Sequence, residues 1–432
     1  MRRPTGPTTM SILPQDIFPK RFQQLRLLAH SRRLVFVVMP LGALIGLLVT
    51  TALLGLGRLQ PLISHLGSRT HLVVLLPAIG LFLTTLLLSV TGIGEVSLFR
   101  DLDLAHVAPH AAFPFRKSMG KVLACVLTIG FGGSAGVEGP GKWLGAALGL
   151  QYHRVSRWLS RHVSPFRRLH AHPLVMVEAG AASALSAVFR APLSGALMAA
   201  EHHGLVTPGA LIPCVVASAT GYVVFSSIVG TAPLFPQARP YRLHPQDLAW
   251  AFLLGIAIGV GANVYFWFRK TFQRFFGHIP LLWRGLAGGL GLTILLLPAR
   301  FFWGGLAVTE GGGLDLVRQL LTGGTLPSQA VLFLALKLLA TAVTFAAGGV
   351  GGLWLPSFTM GAAIGAAFDG LLGLGQPGYL TLVGAAAFAG STHESLLIPV
   401  VFLAETTAQA ALVVPALVGS TVAYLMVRET NP

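Results

Sequence analysis

The stretch Gly133-Ser134-Ala135-Gly136-Val137-Glu138-Gly139-Pro140 sets one carboxylate among glycines, directly ahead of the apolar run Gly141–Leu150. Gly136 and Gly139 allow close backbone approach to a ligand. Pro140 suits the first turn of a helix, where a missing N–H costs nothing. The remaining amides of such a turn point outward along the positive end of the helix dipole and form a ready anion site. Glu138 is itself an anion and can occupy that site. A small anion arriving there must displace it, and protonation of Glu138 assists. Residue types and spacing therefore describe a gate.

The surroundings place this gate in a membrane. The chain has 432 residues, of which 54% are hydrophobic and 10% charged, against about 25% charged in an average soluble domain. Several apolar runs approach the ~20 residues needed to cross a bilayer. The formal charge of +16 suggests a nucleic-acid partner only at first sight. The basic residues lie in short polar gaps (Arg2 to Arg33, Arg116-Lys117, Arg154 to Arg168, Arg269 to Arg284), which is the positive-inside pattern of cytosolic loops. No soluble domain is expected to carry a nucleic-acid groove. Cys125 and Cys214 fall inside apolar runs, so no disulfide framework or metal site is expected. The first apolar run is too long for a cleaved signal segment.

Spans are expected at Leu34–Gly57 and at Leu72–Val90, the second interrupted by Pro77. Thr91-Gly92-Ile93-Gly94-Glu95 then breaks the chain within membrane depth. Val122–Phe131 and Gly141–Leu150 are too short to cross alone. Half-length helices at glycine breaks are what discontinuous helices around a midplane site look like. Such irregular backbone survives only when buried or lining a cavity. Leu174–Ala200 carries Arg190-Ala191-Pro192-Leu193 and ends at Glu201-His202-His203, and Ala210–Val229 follows. After a Pro-rich segment come Ala249–Phe268, Leu286–Leu297 and Val331–Phe345. Then follow a second break, Gly348 to Pro356, and the short segments Phe358–Leu372, Leu380–Ala389, Leu396–Ala404 and Ala411–Met426.

The two halves repeat. Pro140 is followed by Gly145-Ala146-Ala147-Leu148-Gly149, and Pro356 by Gly361-Ala362-Ala363-Ile364-Gly365 at the same interval. Each copy follows a glycine break and precedes an apolar segment ending in a lone acid, Glu201 or Glu405. Paired broken helices in two halves point to a transport site between the repeats. The expected organisation is a basic cytosolic segment over 1–33, a first transmembrane repeat over 34–230, a linker over 231–248, a second repeat over 249–427 and a short tail over 428–432.

At these residues the chain resembles the CLC family of chloride channels and chloride/proton antiporters. Gly136-Val137-Glu138-Gly139-Pro140 resembles the motif whose glutamate gates the anion path. Gly352-Leu353-Trp354-Leu355-Pro356 resembles the motif whose amides bind the anion from the other half. Arg190-Ala191-Pro192-Leu193-Ser194-Gly195, running to Glu201, resembles a third motif, and Thr91 to Glu95 is a weaker match to the fourth. The resemblance implies an all-α, multi-pass membrane protein of two inverted-topology repeats whose broken helices meet at a midplane anion site. It further implies a homodimer in which each subunit has its own pathway. The anion-binding residues it implies are Thr91, Gly92, Ile93, Gly136, Val137, Gly139, Leu353, Trp354 and Leu355.

Departures from the family pattern bear on mechanism. Val137 stands where an arginine or lysine is usual. Thr91 stands at the position of the anion-contacting serine, keeping a hydroxyl but adding a methyl. Gly94 replaces a proline. His202 takes the place of the antiporters' second glutamate, and the pore tyrosine has no counterpart, Tyr424 lying in the last span. No C-terminal regulatory domain is expected. Histidine titrates near neutral pH, so His202 can relay protons; equally, it can be an interfacial cation at a helix end. Thr91 can be an anion ligand or a plain helix cap, and Trp354 a pore residue or part of an interfacial belt. Glu201 and Glu405 are expected to be structural. The function expected is transmembrane transport of chloride or another small anion, with or without proton exchange, in contact with membrane lipid and without a cofactor. The alternatives are a fluoride-selective or uncoupled, channel-like member, or a transport-inactive one. A membrane enzyme is disfavoured, because no Ser–His or paired-Asp constellation lies inside the spans. Compact size suggests a prokaryotic plasma membrane.

Overall fold

The computed structural model describes residues 32–69, 72–94, 96–163, 171–202, 205–302, 310–373 and 376–430. The 1–33 segment lies outside them apart from its last two residues. The fold is all-α. A π-helical turn at Leu34–Val38 leads into α1 (Met39–Arg69), followed by α2 (Leu76–Val90), α3 (Leu98–Val107), α4 (Pro109–Ala112) and α5 (Phe115–Gly130). Next come α6 (Glu138–His162), α7 (Pro173–Phe189) and α8 (Pro192–Ala200). A minimal hairpin of β1 (Glu201–His202) and β2 (Leu205–Val206) precedes α9 (Pro208–Val229). The second half holds α10 (Asp247–Gly277), α11 (Leu281–Phe302), α12 (Leu314–Thr322), α13 (Pro327–Ala346) and α14 (Trp354–Leu372). It closes with α15 (Tyr379–Thr392), α16 (Ile398–Thr407) and α17 (Val413–Thr430). Among the described residues, six helical stretches are long and apolar enough to cross a membrane. Exposed tryptophans near helix ends, Trp158 and Trp283, suit a bilayer interface.

The glycine breaks lie against each other at the centre. Gly136 and Gly352 pair antiparallel and exchange both backbone hydrogen bonds, at 2.7 and 2.9 Å. Two threonines at matching places in the halves lock this contact. Thr128 accepts the Gly133 amide on its carbonyl, and Thr344 accepts the Gly349 amide in the same way, both at 2.8 Å. Each threonine also accepts, on its hydroxyl, an amide from the opposite half: Val350 N–H on Thr128 (3.0 Å) and Ser134 N–H on Thr344 (3.1 Å). Gly132 and Gly348 turn the chain at φ 93° and 91°, a region glycine enters freely.

The Gly-Ala-Ala-x-Gly repeats are helix-packing surfaces. Any side chain at Gly145 or Gly149 would strike the α7 carbonyls of Gly180 and Met176, and at Gly361 or Gly365 the α15 carbonyls of Gly384 and Leu380. Small residues at four-residue spacing let helices approach closely in lipid. The halves also close alike: α1 packs on α9 at Gly42 and Gly46, and α10 packs on α17 at Gly255 and Gly259.

Several expectations need correction. The run Gly141–Leu150 is only the start of α6, which continues through the basic stretch to His162, where cations favour the C-terminal end of the dipole. Leu174–Ala200 is not one segment. Arg190, left-handed at φ 55°, ends α7, and Pro192 starts α8. The polar gap before Lys121 holds α3, capped by Ser97. The lone acids Glu201 and Glu405, by contrast, are structural as expected, and Asp369 is alike. Glu405 accepts from the Leu193 and Ser194 amides at the start of α8, Asp369 from the Gly378, Leu380 and Thr381 amides at the start of α15, and Glu201 from the Ser395 hydroxyl.

If the threonine cross-links hold the halves together, Thr128→Val and Thr344→Val each leave a buried amide of the opposite half unsatisfied. Each substitution is expected to destabilise the protein by about 1–3 kcal/mol, read as a lower melting temperature in detergent. A conservative Thr220→Val on α9, where the hydroxyl only returns to its own helix, is expected to change little.

Candidate anion site where the halves meet

Glu138 opens α6 and is buried. Its side chain reaches across to the second half, where Oε1 accepts the Leu355 amide at 3.0 Å, in the first turn of α14. Oε2 has no hydrogen-bond partner among the described residues. Two glycines make room for the carboxylate. At Gly136 the nearest atoms a methyl group would meet all belong to the Glu138 carboxylate, and at Gly352 a methyl would overlap the same side chain. Gly139 is different, because a methyl there would strike the backbone of Gly351 and Gly352. The carboxylate thus sits at a helix N-terminus, the position that favours negative charge.

The glutamate also borders a cavity of about 600 Å³. Leu353, Trp354 and Gly348 to Gly352 line it from the second half, and Lys142, Ser97, Arg100, Arg269, Arg284 and His393 lie around it. Trp354 is buried, with its ring edge-on to His393 and Phe402 at 5.0 and 5.7 Å between centroids. Lys142 donates from Nζ to the Met198 carbonyl at the end of α8, at 2.9 Å. Among the described residues that line the cavity, Glu138 is the single acid.

Of the residues singled out in the sequence, Glu138, Gly136, Gly139, Leu353, Trp354 and Leu355 come together here, with Val137 packed beside them in the core. Thr91, Gly92 and Ile93 do not. Thr91 ends α2 as an exposed residue, its hydroxyl donates to the Leu87 carbonyl at 2.6 Å, and it does not line the cavity. Gly92 is an exposed turn residue at φ 63°, and Ile93 packs on Gly120. The loop after α2 is carried past the cavity before α3 begins, so the hydroxyl facing the cavity is that of Ser97. The His202 backbone lies in β1, and its side chain falls outside the described residues. Sequence reasoning passes over Ser97, Lys142 and His393. Ser97 carries a readable signal as an N-cap residue, and Lys142 as the residue one helical turn beyond Glu138.

The family description "Voltage gated chloride channel" matches residues 102–428. The chain belongs to the voltage-gated chloride channel family. Among its relatives, the "Uncharacterized protein MJ0305" of Methanocaldococcus jannaschii is 30% identical over 280 residues, which span 64% of this chain and 66% of that protein, just under two thirds of its length. The structure of a slow cyanobacterial Cl−/H+ antiporter superposes with a TM-score of 0.77 at 20% identity, covering 92% of this chain and 95% of that one. The structure of a CLC-type fluoride/proton antiporter superposes with a TM-score of 0.71 at 22% identity, covering 91% and 94%. The fold is therefore the CLC transporter fold, in an integral, multi-pass membrane protein.

The glycines allow the carboxylate to be tested apart from its acidity. Gly136→Ala is expected to evict Glu138 from the Leu355 amide while leaving the backbone pairing intact. It should reproduce the transport behaviour of Glu138→Gln in liposome flux. Gly139→Ala overlaps backbone instead, and is expected to lower the melting temperature by the equivalent of about 1–3 kcal/mol. A Gly136→Ala protein with unchanged pH response would contradict the placement.

Proposed function

We propose that this protein moves chloride or another small monovalent anion across the membrane, with Glu138 as a protonatable gate. The observation that carries the reading is the Glu138 carboxylate held on the Leu355 amide at the start of α14. An anion dehydrated at that helix start gains the same amide and the same dipole. It competes directly with Glu138. Protonation removes the charge that the amide holds, so acid frees the site and flux rises as pH falls. Leu353, Trp354 and Leu355 supply the anion's contacts from one half, and Gly136, Val137 and Gly139 from the other. We place the protein in a prokaryotic plasma membrane as a homodimer of subunits, each built of repeats over 34–230 and 249–427. Exposed apolar residues of α9 such as Ile212, Val223 and Ile228 are suited to lipid or to a second copy.

The runner-up reading is a fluoride-selective or uncoupled member. It is favoured by the position of Thr91, whose hydroxyl is committed to its own helix and stands outside the cavity. Halide efflux and pH recorded together from liposomes of the purified protein distinguish these. Efflux that drives protons uphill identifies an exchanger; efflux without proton movement identifies an uncoupled path. In either case wild-type flux is expected to rise by up to about tenfold per unit fall in pH, the limit for one titrating group. Glu138→Gln should be fast at every pH. A Glu138→Gln protein that retains the wild-type pH response removes Glu138 from the gate.

A further inference from the structure

We propose that Lys142 is the cation that holds the permeant anion in the cavity, one helical turn from Glu138. The inference rests on the anion-transport reading above and deepens it. Lys142 is four residues after Glu138 on α6, so the two side chains share a face of the helix, and both line the same cavity. Position 137, beside Glu138, is the uncharged Val137, and the nearest lysine in the chain is Lys142.

The ammonium keeps donors for an anion. It carries three N–H donors, and the Met198 carbonyl takes one of them. Among the described residues no carboxylate lies within ion-pair distance of Lys142. Lys121 and Lys337 differ. Lys121 is ion-paired with Asp101, which also accepts the Trp143 indole, and Lys337 is fully buried on the Gly311 carbonyl. A charge at membrane depth needs a counter-charge or a wet cavity and is functional by default. Lys142 has the cavity, in the company of Arg100, Arg269 and Arg284. Glu201 and Glu178 act on it only from beyond ion-pair distance, and the direct counter-ion we assign to its remaining donors is the transported anion.

A purely structural lysine, tying α6 to the end of α8, would need only its bond to Met198. Charge and fold are separated by toggling the charge after folding. Chloride and fluoride binding would be measured by calorimetry on the full-length protein in detergent, in the Glu138→Gln background where the amide site is vacated. Adding Lys142→Gln is expected to weaken the preferred halide at least about tenfold, the scale of a lost charge-assisted hydrogen bond. Lys142→Arg should stay within about threefold, since it keeps the charge. In Lys142→Cys, affinity should be lost and then regained when the thiol is labelled with an aminoethyl thiosulfonate, on one and the same folded sample. Affinity that ignores both the substitution and the label overturns the proposal. No halide binding even by Glu138→Gln alone defeats the anion-transport reading, and this inference with it.

Discussion

Gly136 and Gly352 pair backbone to backbone, and the space left by their missing side chains holds the Glu138 carboxylate. Around the pairing, Thr128 and Thr344 each satisfy one amide of their own half and one of the other. Each of these buried amides, left unsatisfied, would cost about 1–3 kcal/mol. The broken backbone of each half is therefore completed by its opposite. Everything else follows from this constraint. The helix starts of α6 and α14 are brought to one point, the glycine-rich faces behind them pack on α7 and α15, and the cavity is left between.

The pairing is nearly symmetric, but the side chains it presents are not. The position matching Glu138 in the second half is Trp354, which turns away onto His393 and Phe402. Among the described residues, only one carboxylate enters the meeting point. It crosses to the opposite half and occupies an amide that an anion could hold. A carboxylate away from water is costly unless fully hydrogen-bonded, and here one of its oxygens has no hydrogen-bond partner among the described residues. For the gate proposed at Glu138, this means a carboxylate held well enough to close the site and weakly enough to leave it.

Much of this is legible in the sequence. Glycines placed between apolar runs mark breaks inside a membrane, and the recurrence of Gly-Ala-Ala-x-Gly after Pro140 and Pro356 marks two halves. Glu138 stands out because an acid among glycines at membrane depth has few structural roles. Other features are hidden for physical reasons. Thr128 and Thr344 look like any threonine in an apolar helix, where the hydroxyl usually returns to its own backbone. The extension of α6 to His162 is masked because charge, which marks a loop in a membrane protein, is equally at home on a helix leaving the bilayer. Thr91 enters the expected site by motif alone, and the loop geometry that directs its hydroxyl to Leu87 has no counterpart in composition.

The central claim is that Glu138 and the permeant anion compete for the Leu355 amide. The most direct measurement is a crystal structure of Glu138→Gln grown in bromide, with the anomalous signal located. The account predicts a bromide within hydrogen-bonding distance of the Leu355 amide, between Gly136 and Gly352, with the introduced glutamine side chain displaced and no such peak in wild-type protein at neutral pH. A glutamine still seated on that amide, with bromide bound elsewhere or not at all, would contradict it.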